Sequence, residues 1–146
     1  MLLNILLGFI LPWCFGQYLL IKKPTFAIQV SIIGALLAFL VNDVGFHMNW
    51  WYVTPKDYGT ISFIPYNFGI FALFSVFTLN LINNFGRAWI VIPVMSLVKT
   101  VLESTLVFTG KVVYQNDWNL GFTYVSYLIP CTASYLIYSF LKKRTA

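Results

Sequence analysis

Residues 88–109 read AWIVIPVMSLVKTVLESTLVFT, an apolar run that is interrupted by Lys99 and Glu103. A helix that crosses a lipid bilayer needs about 20 predominantly apolar residues, and this run has that length. Each charge at the centre of such a helix costs about 2.5–3.5 kcal/mol on insertion-based scales. The stretch therefore predicts a membrane-spanning helix whose polar side chains face other helices rather than lipid.

The composition of the whole chain agrees with this interpretation. Of the 146 residues, 60% are hydrophobic and only 9% are charged, which lies far outside the range of soluble globular domains. The apolar runs lack two-residue alternation and are about twice the ~10 residues of a barrel strand, which excludes a transmembrane β-barrel. We predict an all-α integral membrane bundle of five transmembrane helices, forming a single domain over residues 1–146, with spans at 2–20, 26–46, 61–82, 88–109 and 120–141.

Successive loops of a five-helix bundle lie on alternate sides of the membrane, and the basic residues are unevenly distributed between the two sides. One side carries six basic residues and the other carries two. Because basic loops are retained in the cytoplasm, the N-terminus is predicted to lie outside and the C-terminus inside. Residues 21–25, 83–87 and 142–146 are then cytoplasmic, and the loops at 48–60 and 111–119 are external.

A polar stripe runs along the predicted fourth helix. Its members recur at offsets of three and four residues, so they share one face of the helix: Ser96, Lys99, Thr100, Glu103 and Ser104. Lys99 and Glu103 are four residues apart, which allows them to pair with each other. We expect this stripe to face the interior of the bundle.

Other helices bring polar residues to the same depth. The second helix ends with Asn42, Asp43 and His47, and the third begins with Tyr66 and Asn67. We expect these residues to converge with Lys99 and Glu103 in one intramembrane polar site in the outer half of the bundle. The fifth helix offers further members at helical offsets: Thr123, Ser126, Tyr127, Cys131 and Ser134.

The sequence contains no pattern that predicts a metal or a cofactor. Gly-rich phosphate loops and serine-type triads are absent, and the lone His47 lacks a cluster of further ligands. The two cysteines, Cys14 and Cys131, have no metal-type spacing and are interpreted as small buried residues at helix contacts. A net charge of +5 is explained by the cytoplasmic loops and by anionic lipid, so no nucleic-acid partner is expected.

Two classes of function remain open at this level. The first is a non-enzymatic membrane protein, either an accessory subunit or a component of small-solute or ion handling, with a polar site at Lys99 and Glu103. The second is an intramembrane enzyme that uses Glu103 and Asp43 as acid and base. The chain is expected to lie in a lipid bilayer. Its partner can be another membrane protein or a second copy of the chain. Lys99 and Glu103 can equally have a structural role.

Two segments carry a resemblance to a known family. They are GTISFIPYNFGIFALFSVFTLNLI at 59–82 and SLVKTVLESTLVFTGKVVYQNDWNLGFTYVSYLIPCTASYLIYSFLKKR at 96–144, with Glu103 followed by an aromatic loop that contains Tyr114 and Trp118. Over residues 60–144 the chain resembles an uncharacterised family of small multi-pass membrane proteins from spore-forming Gram-positive bacteria. The resemblance implies a location in the bacterial plasma membrane and brings no assigned activity.

Overall fold

The computed structural model of the chain describes residues 1–145, so Ala146 of the predicted cytoplasmic tail lies outside the described residues. Five helices are long and apolar enough to cross a membrane, which confirms the predicted all-α architecture. The third begins five residues earlier than predicted, and the other bounds agree within about three residues. We number them α1 to α5: Leu2–Lys22, Pro24–His47, Lys56–Phe85, Ala88–Phe108 and Leu120–Arg144.

The turns between the helices contain the residues that favour helix ends. Pro24 opens α2 directly after Lys23, whose φ of −139° is not helical, and proline is favoured at the first helical position because its missing N–H has no partner there anyway. Gly86 ends α3 in the left-handed conformation, with φ of 67°. These two turns join consecutive helices with one or two residues, so neighbouring helices run in opposite directions.

A two-stranded antiparallel sheet lies at one end of the bundle. It pairs β1, Trp51–Val53, with β2, Val112–Tyr114, so that Trp51 stands opposite Tyr114. The sequence predicted both segments as loops, and that part of the prediction is wrong, because three-residue strands are too short to show the alternation that identifies a strand. The sheet ties the α2–α3 connection to the α4–α5 connection, and we call this end of the bundle the ribbon end.

Hydrogen bonds near the chain start identify which end is which. Asn4 of α1 donates to the Thr54 carbonyl at 3.0 Å and accepts from Lys111 Nζ at 3.2 Å, so α1 starts at the ribbon end. At the opposite end Lys23 Nζ donates to Asn80 Oδ1 at 2.8 Å. We call this the basic end, because six basic residues lie there: Lys22, Lys23, Arg87, Lys142, Lys143 and Arg144.

Two helices contain a turn of π-helix, and these turns pack against each other. They are Leu6–Ile10 in α1 and Asn67–Phe71 in α3. A Cβ at Gly69 would collide with the backbone carbonyl of Gly8, so the two backbones approach as closely as glycine allows. The indole of Trp13 donates to the Phe68 carbonyl at 2.9 Å, which satisfies a carbonyl of the α3 π-turn.

Two apolar clusters fill different halves of the bundle. The cluster in the basic half is built around Leu19, Val30, Val76, Leu79 and Ile92 and extends to Cys131. The cluster in the ribbon half is formed by the inward residues of the sheet together with α3, namely Trp51, Val53, Phe63, Tyr66 and Val112.

Candidate functional site

Two adjoining cavities of about 40 Å³ and about 190 Å³ lie in the bundle, and the larger one is lined by the residues of the ribbon-half cluster. A water molecule needs a cavity of about 10–15 Å³ on this measure, so the larger one has room for a small solute or for several waters. Six residues line both cavities: Asn42, Trp51, Phe71, Lys99, Glu103 and Tyr127. The cavities therefore share one polar wall.

Glu103 is held by two tyrosines that approach it from different elements. Tyr114 of β2 donates to Glu103 Oε1 at 2.7 Å, and Tyr127 of α5 donates to Oε2. Hydrogen bonds to a carboxylate are roughly twice as strong as those between neutral groups. The carboxylate is thus fixed in position by donors from outside its own helix.

A chain of hydrogen bonds orients Tyr114. The Trp118 indole donates to Thr123 Oγ1 at 2.9 Å, and Thr123 donates to the Tyr114 hydroxyl at 2.7 Å. The phenolic proton of Tyr114 is therefore directed at Glu103. Burial raises the pKa of the Tyr114 phenol well above its usual range, and the negative charge of Glu103 is the second largest cause. The donor consequently keeps its proton throughout the physiological pH range.

Lys99 has different partners from those the sequence suggested. The residue is 6% exposed, and its ammonium group donates to Cys131 Sγ at 3.0 Å. It also lies 5.7 Å from the ring centroid of Phe74 and 5.9 Å from that of Tyr127, within the range of cation–π attraction. The predicted direct pairing with Glu103 is wrong: no Lys99–Glu103 ion pair within 4.0 Å forms, because the tyrosines hold the carboxylate and Lys99 turns toward α5.

The amides of the second and third helices meet beside this wall. Asn42 Nδ2 donates to Asn67 Oδ1 at 2.6 Å, and the Trp51 indole donates to Asn42 Oδ1 at 3.2 Å. Tyr66 lines the larger cavity and donates to Asn4 Oδ1 at 3.4 Å. Asn42 and Tyr66 therefore line a cavity together with Lys99 and Glu103, whereas Asn67 lines neither cavity and is joined to the site through Asn42.

Asp43 and His47 are not brought to the site. Their side chains are 46% and 66% exposed, they face each other at 3.6 Å, and neither lines the two cavities. Asp43 follows the inward Asn42 directly in the helix. Consecutive residues are rotated by about 100° about the helix axis, so the Asp43 side chain points out of the bundle. Their expected convergence with Glu103 is therefore wrong.

The rest of the α4 stripe divides into buried and exposed members. Thr100 is buried and donates to the Ser96 carbonyl at 2.9 Å, while Ser104 donates to the Val101 carbonyl at 2.6 Å and lines neither cavity. Ser96 is fully buried, and its hydroxyl has no hydrogen-bond partner among the described residues. Only Lys99 and Glu103 of this stripe line the cavities.

The fifth helix supplies six of the residues that line the smaller cavity, more than any other element. The smaller cavity is lined by the series that the helical offsets predicted, namely Thr123, Ser126, Tyr127, Cys131 and Ser134. Cys131 is buried, as expected, but Cys14 is exposed on α1, so the interpretation of both as buried residues is wrong for Cys14. Cys14 falls on the face of α1 that points away from the bundle.

Several residues of the site escaped the sequence analysis. Trp51 and Tyr114 were assigned to loops, although the sheet brings Trp51 to both cavities and Tyr114 to Glu103. Asn4 is completely buried and bonded to three elements, yet it stands near the chain start where a single polar residue attracts no notice. A signal was available for Asn4, because a lone amide in an apolar run needs a buried partner.

The apolar cluster around Val76 and Leu79 lies on the basic side of the cavities and includes Cys131. An open apolar groove between α2 and α5 shares Val41, Trp51, Trp118 and Ser126 with the smaller cavity. The site thus lies in the ribbon half, directly behind the α2–α5 surface.

Comparisons of the chain with protein-family models, with curated proteins and with solved structures find no match. Within the described residues, no group of three or more His, Cys, Asp or Glu side chains is close enough to hold a metal ion.

Proposed function

We propose that this chain is a non-enzymatic integral membrane protein that binds a small solute with an anionic group, such as a carboxylate, in the cavity lined by Lys99 and Glu103. Lys99 is the group that binds the anion. The role falls within small-solute handling, one of the functions that the sequence left open.

The observation that carries this proposal is the environment of Lys99. The side chain is buried, and its one hydrogen-bond acceptor among the described residues is Cys131 Sγ, a weak acceptor. An ammonium group has three N–H donors, and a buried charge without a full set of partners costs several kcal/mol. Two donors are left for a solute or water in a cavity that is large enough for either.

A purely structural role for the lysine accounts for less of the geometry. A structural charge pair gains most when its members touch, yet Glu103 is one turn away and is bonded to tyrosines instead. The enzyme alternative gains no support either, since Asp43 and Glu103 do not share a cavity. Binding is the function that uses both the free donors and the empty volume.

The direction of access follows from the two ends of the bundle. The apolar cluster in the basic half separates the cavities from the basic end, so the solute enters from the ribbon half. We further propose that the membrane is a bacterial plasma membrane and that the ribbon end is external, which the excess of basic residues at the opposite end supports.

The proposal is tested by the anion dependence of thermal stability. The purified protein is melted in detergent with increasing sodium acetate, and ionic strength is held constant with the sodium salt of a bulky sulfonate. A ligand that binds only the folded protein stabilises it by about 2.7 kcal/mol at 100 times its Kd. We expect acetate to raise the Tm of the unmodified chain but not of Lys99→Met.

The matched control is Lys143→Met, which removes an exposed lysine at the basic end. This variant should respond to acetate as the unmodified chain does. An equal acetate response in the unmodified chain and in Lys99→Met would show that the stabilisation is a general salt effect and would contradict the proposal.

A further inference from the structure

We infer that the bound solute is a small zwitterion with an aliphatic body, such as a free amino acid, whose ammonium group binds Glu103 while its carboxylate binds Lys99. This inference rests on the proposed function, since it adds a second charged contact to the anion site at Lys99. It names the class of solute, which the anion site alone leaves open.

The first support is that two opposite charges line both cavities without pairing. Lys99 and Glu103 stand at i and i+4 on α4, and they are not within 4.0 Å of each other. A ligand with a single charge would pair with either Lys99 or Glu103 and leave the other residue without an oppositely charged partner. A ligand with both charges satisfies both, which electrostatic complementarity favours.

The second support is the spare acceptor capacity of Glu103. A carboxylate has about four lone-pair sites, and Tyr114 and Tyr127 occupy one on each oxygen. Thr123 donates to Tyr114 and so fixes the direction of the Tyr114 proton. The carboxylate is therefore held in place and still has sites for the donors of an ammonium group.

The third support is the aromatic wall around the carboxylate. Trp51, Phe71 and Tyr127 line both cavities together with Glu103, and the rings of Phe71 and Tyr127 lie 5.7 Å apart. The faces of aromatic rings attract ammonium groups, most strongly where water is excluded. This wall favours a cation next to Glu103.

The size and remaining lining of the larger cavity define the body of the solute. Beyond its polar wall it is lined by aliphatic and aromatic side chains, among them Leu7, Ile70, Leu102, Leu106, Phe63 and Phe74, and its volume is about 190 Å³. One water needs about 10–15 Å³ on this measure, so the cavity has room for a small solute. A short aliphatic chain fits such a cavity, whereas a long polar side chain would leave its polar groups unpaired.

The test compares valine with two compounds that each lack one of its charged groups and keep its branched aliphatic end. Valine carries both charges, isovalerate lacks the ammonium group, and isobutylamine lacks the carboxylate. Each is titrated calorimetrically into the full chain in phosphatidylcholine nanodiscs. A hydrogen-bonded contact to a charged group contributes enough to change affinity about tenfold or more, so valine should bind at least about tenfold more tightly than isovalerate.

Variants assign the two contacts. In Glu103→Gln the advantage of valine over isovalerate should disappear, and in Lys99→Met neither compound should bind. Asp43→Asn is the matched control, because it removes a carboxylate in the ribbon half that lines neither cavity. It should keep the full advantage of valine.

The outcomes separate this inference from the proposed function. Equal affinities for valine and isovalerate, with both lost in Lys99→Met, would overturn the zwitterion and leave the anion site in place. Binding of neither compound to the unmodified chain, or binding of isobutylamine alone, would overturn both. If Glu103→Gln does not fold, the comparison of the three compounds on the unmodified chain still decides the question.

Discussion

Lys99 and Glu103 stand one helical turn apart on α4 and line the same two cavities, yet they do not form an ion pair. Tyr127 lies between them: its ring faces the ammonium group at 5.9 Å, and its hydroxyl donates to Glu103. A sequence with lysine and glutamate at i and i+4 favours their contact in an isolated helix. The tertiary structure provides each charge with other partners and places both charges in the wall of the same cavities.

The stability of the site should depend more on Tyr127 than on the contact between Lys99 and Glu103. Tyr127→Phe removes a hydrogen bond to a buried carboxylate, and we expect the free energy of unfolding to fall by about 1.5–3 kcal/mol. Double-mutant cycles should give a coupling energy for Glu103 with Tyr127 that exceeds the one for Glu103 with Lys99. The control is Tyr124→Phe, because the Tyr124 hydroxyl makes no hydrogen bond among the described residues. A larger coupling for the lysine would contradict this account.

The amide pair between α2 and α3 should be sensitive to loss of one member. Asn42→Leu leaves the Asn67 amide and the Trp51 indole without their partner, and we expect a loss of about 1–3 kcal/mol in the free energy of unfolding. Asn84→Ala changes an exposed asparagine at the end of α3 and should be nearly neutral. Reversible unfolding in mixed micelles measures both. A neutral Asn42→Leu would show that the amides do not hold the helices together.

The contact between the π-turns predicts an order for two glycine variants. At Gly69 an added methyl group meets the backbone of Gly8, whereas at Gly16 it meets the end of the flexible Leu73 side chain. A backbone cannot move aside as a side chain can, so Gly69→Ala should be the more destabilising of the two variants. We expect it to lower the free energy of unfolding by about 1–3 kcal/mol. Melting temperatures of the two variants test this order, and the reverse order would argue against close packing of the π-turns.

Alkaline unfolding should report on Tyr114. Its pKa is raised in the folded chain by burial and by the charge of Glu103, so the folded chain holds this proton more tightly than the unfolded chain. The resulting stability is fully present below the ordinary tyrosine pKa of about 10 and is lost as pH rises above it. Tyr114→Phe should flatten the fall of stability above that pH. Tyr58→Phe, which alters an exposed tyrosine, should leave the fall unchanged.

Orientation in the membrane is tested by labelling. With Cys14 replaced by serine, the variants Asp57→Cys and Asn84→Cys place single accessible thiols at the ribbon end and at the basic end. A membrane-impermeant maleimide added to intact cells should label Asp57→Cys, and should label Asn84→Cys only after the membrane is opened. The opposite pattern would reverse the proposed orientation and the side from which solute enters.

The helices and their approximate bounds could be predicted from the sequence because hydrophobic length is a local property. Depth could also be estimated, since residues rise by about 1.5 Å along a helix, and this brought Asn42, Tyr66 and Asn67 to the level of Glu103. The rotation of a helix about its axis is not fixed by its hydrophobic length. A single step separates the inward Asn42 from the outward Asp43, and both are polar.

The partners of the charges could not be predicted from the sequence, because they depend on contacts between distant segments. Tyr114 reaches Glu103 only because β2 pairs with β1, and three-residue strands give no usable pattern. Cys131 reaches Lys99 because α5 packs against α4 at that depth. The sequence therefore predicted which groups are costly to bury, and the tertiary structure shows how each is accommodated.

The central claim is that Lys99 binds a small anion in this cavity. Equilibrium dialysis of radiolabelled acetate against the purified chain measures it most directly. The account predicts one saturable site per chain in the unmodified protein and in Lys143→Met, and none in Lys99→Met. The same number of bound acetate ions in Lys99→Met as in the unmodified chain, or no saturable binding to any of the three proteins, would contradict it.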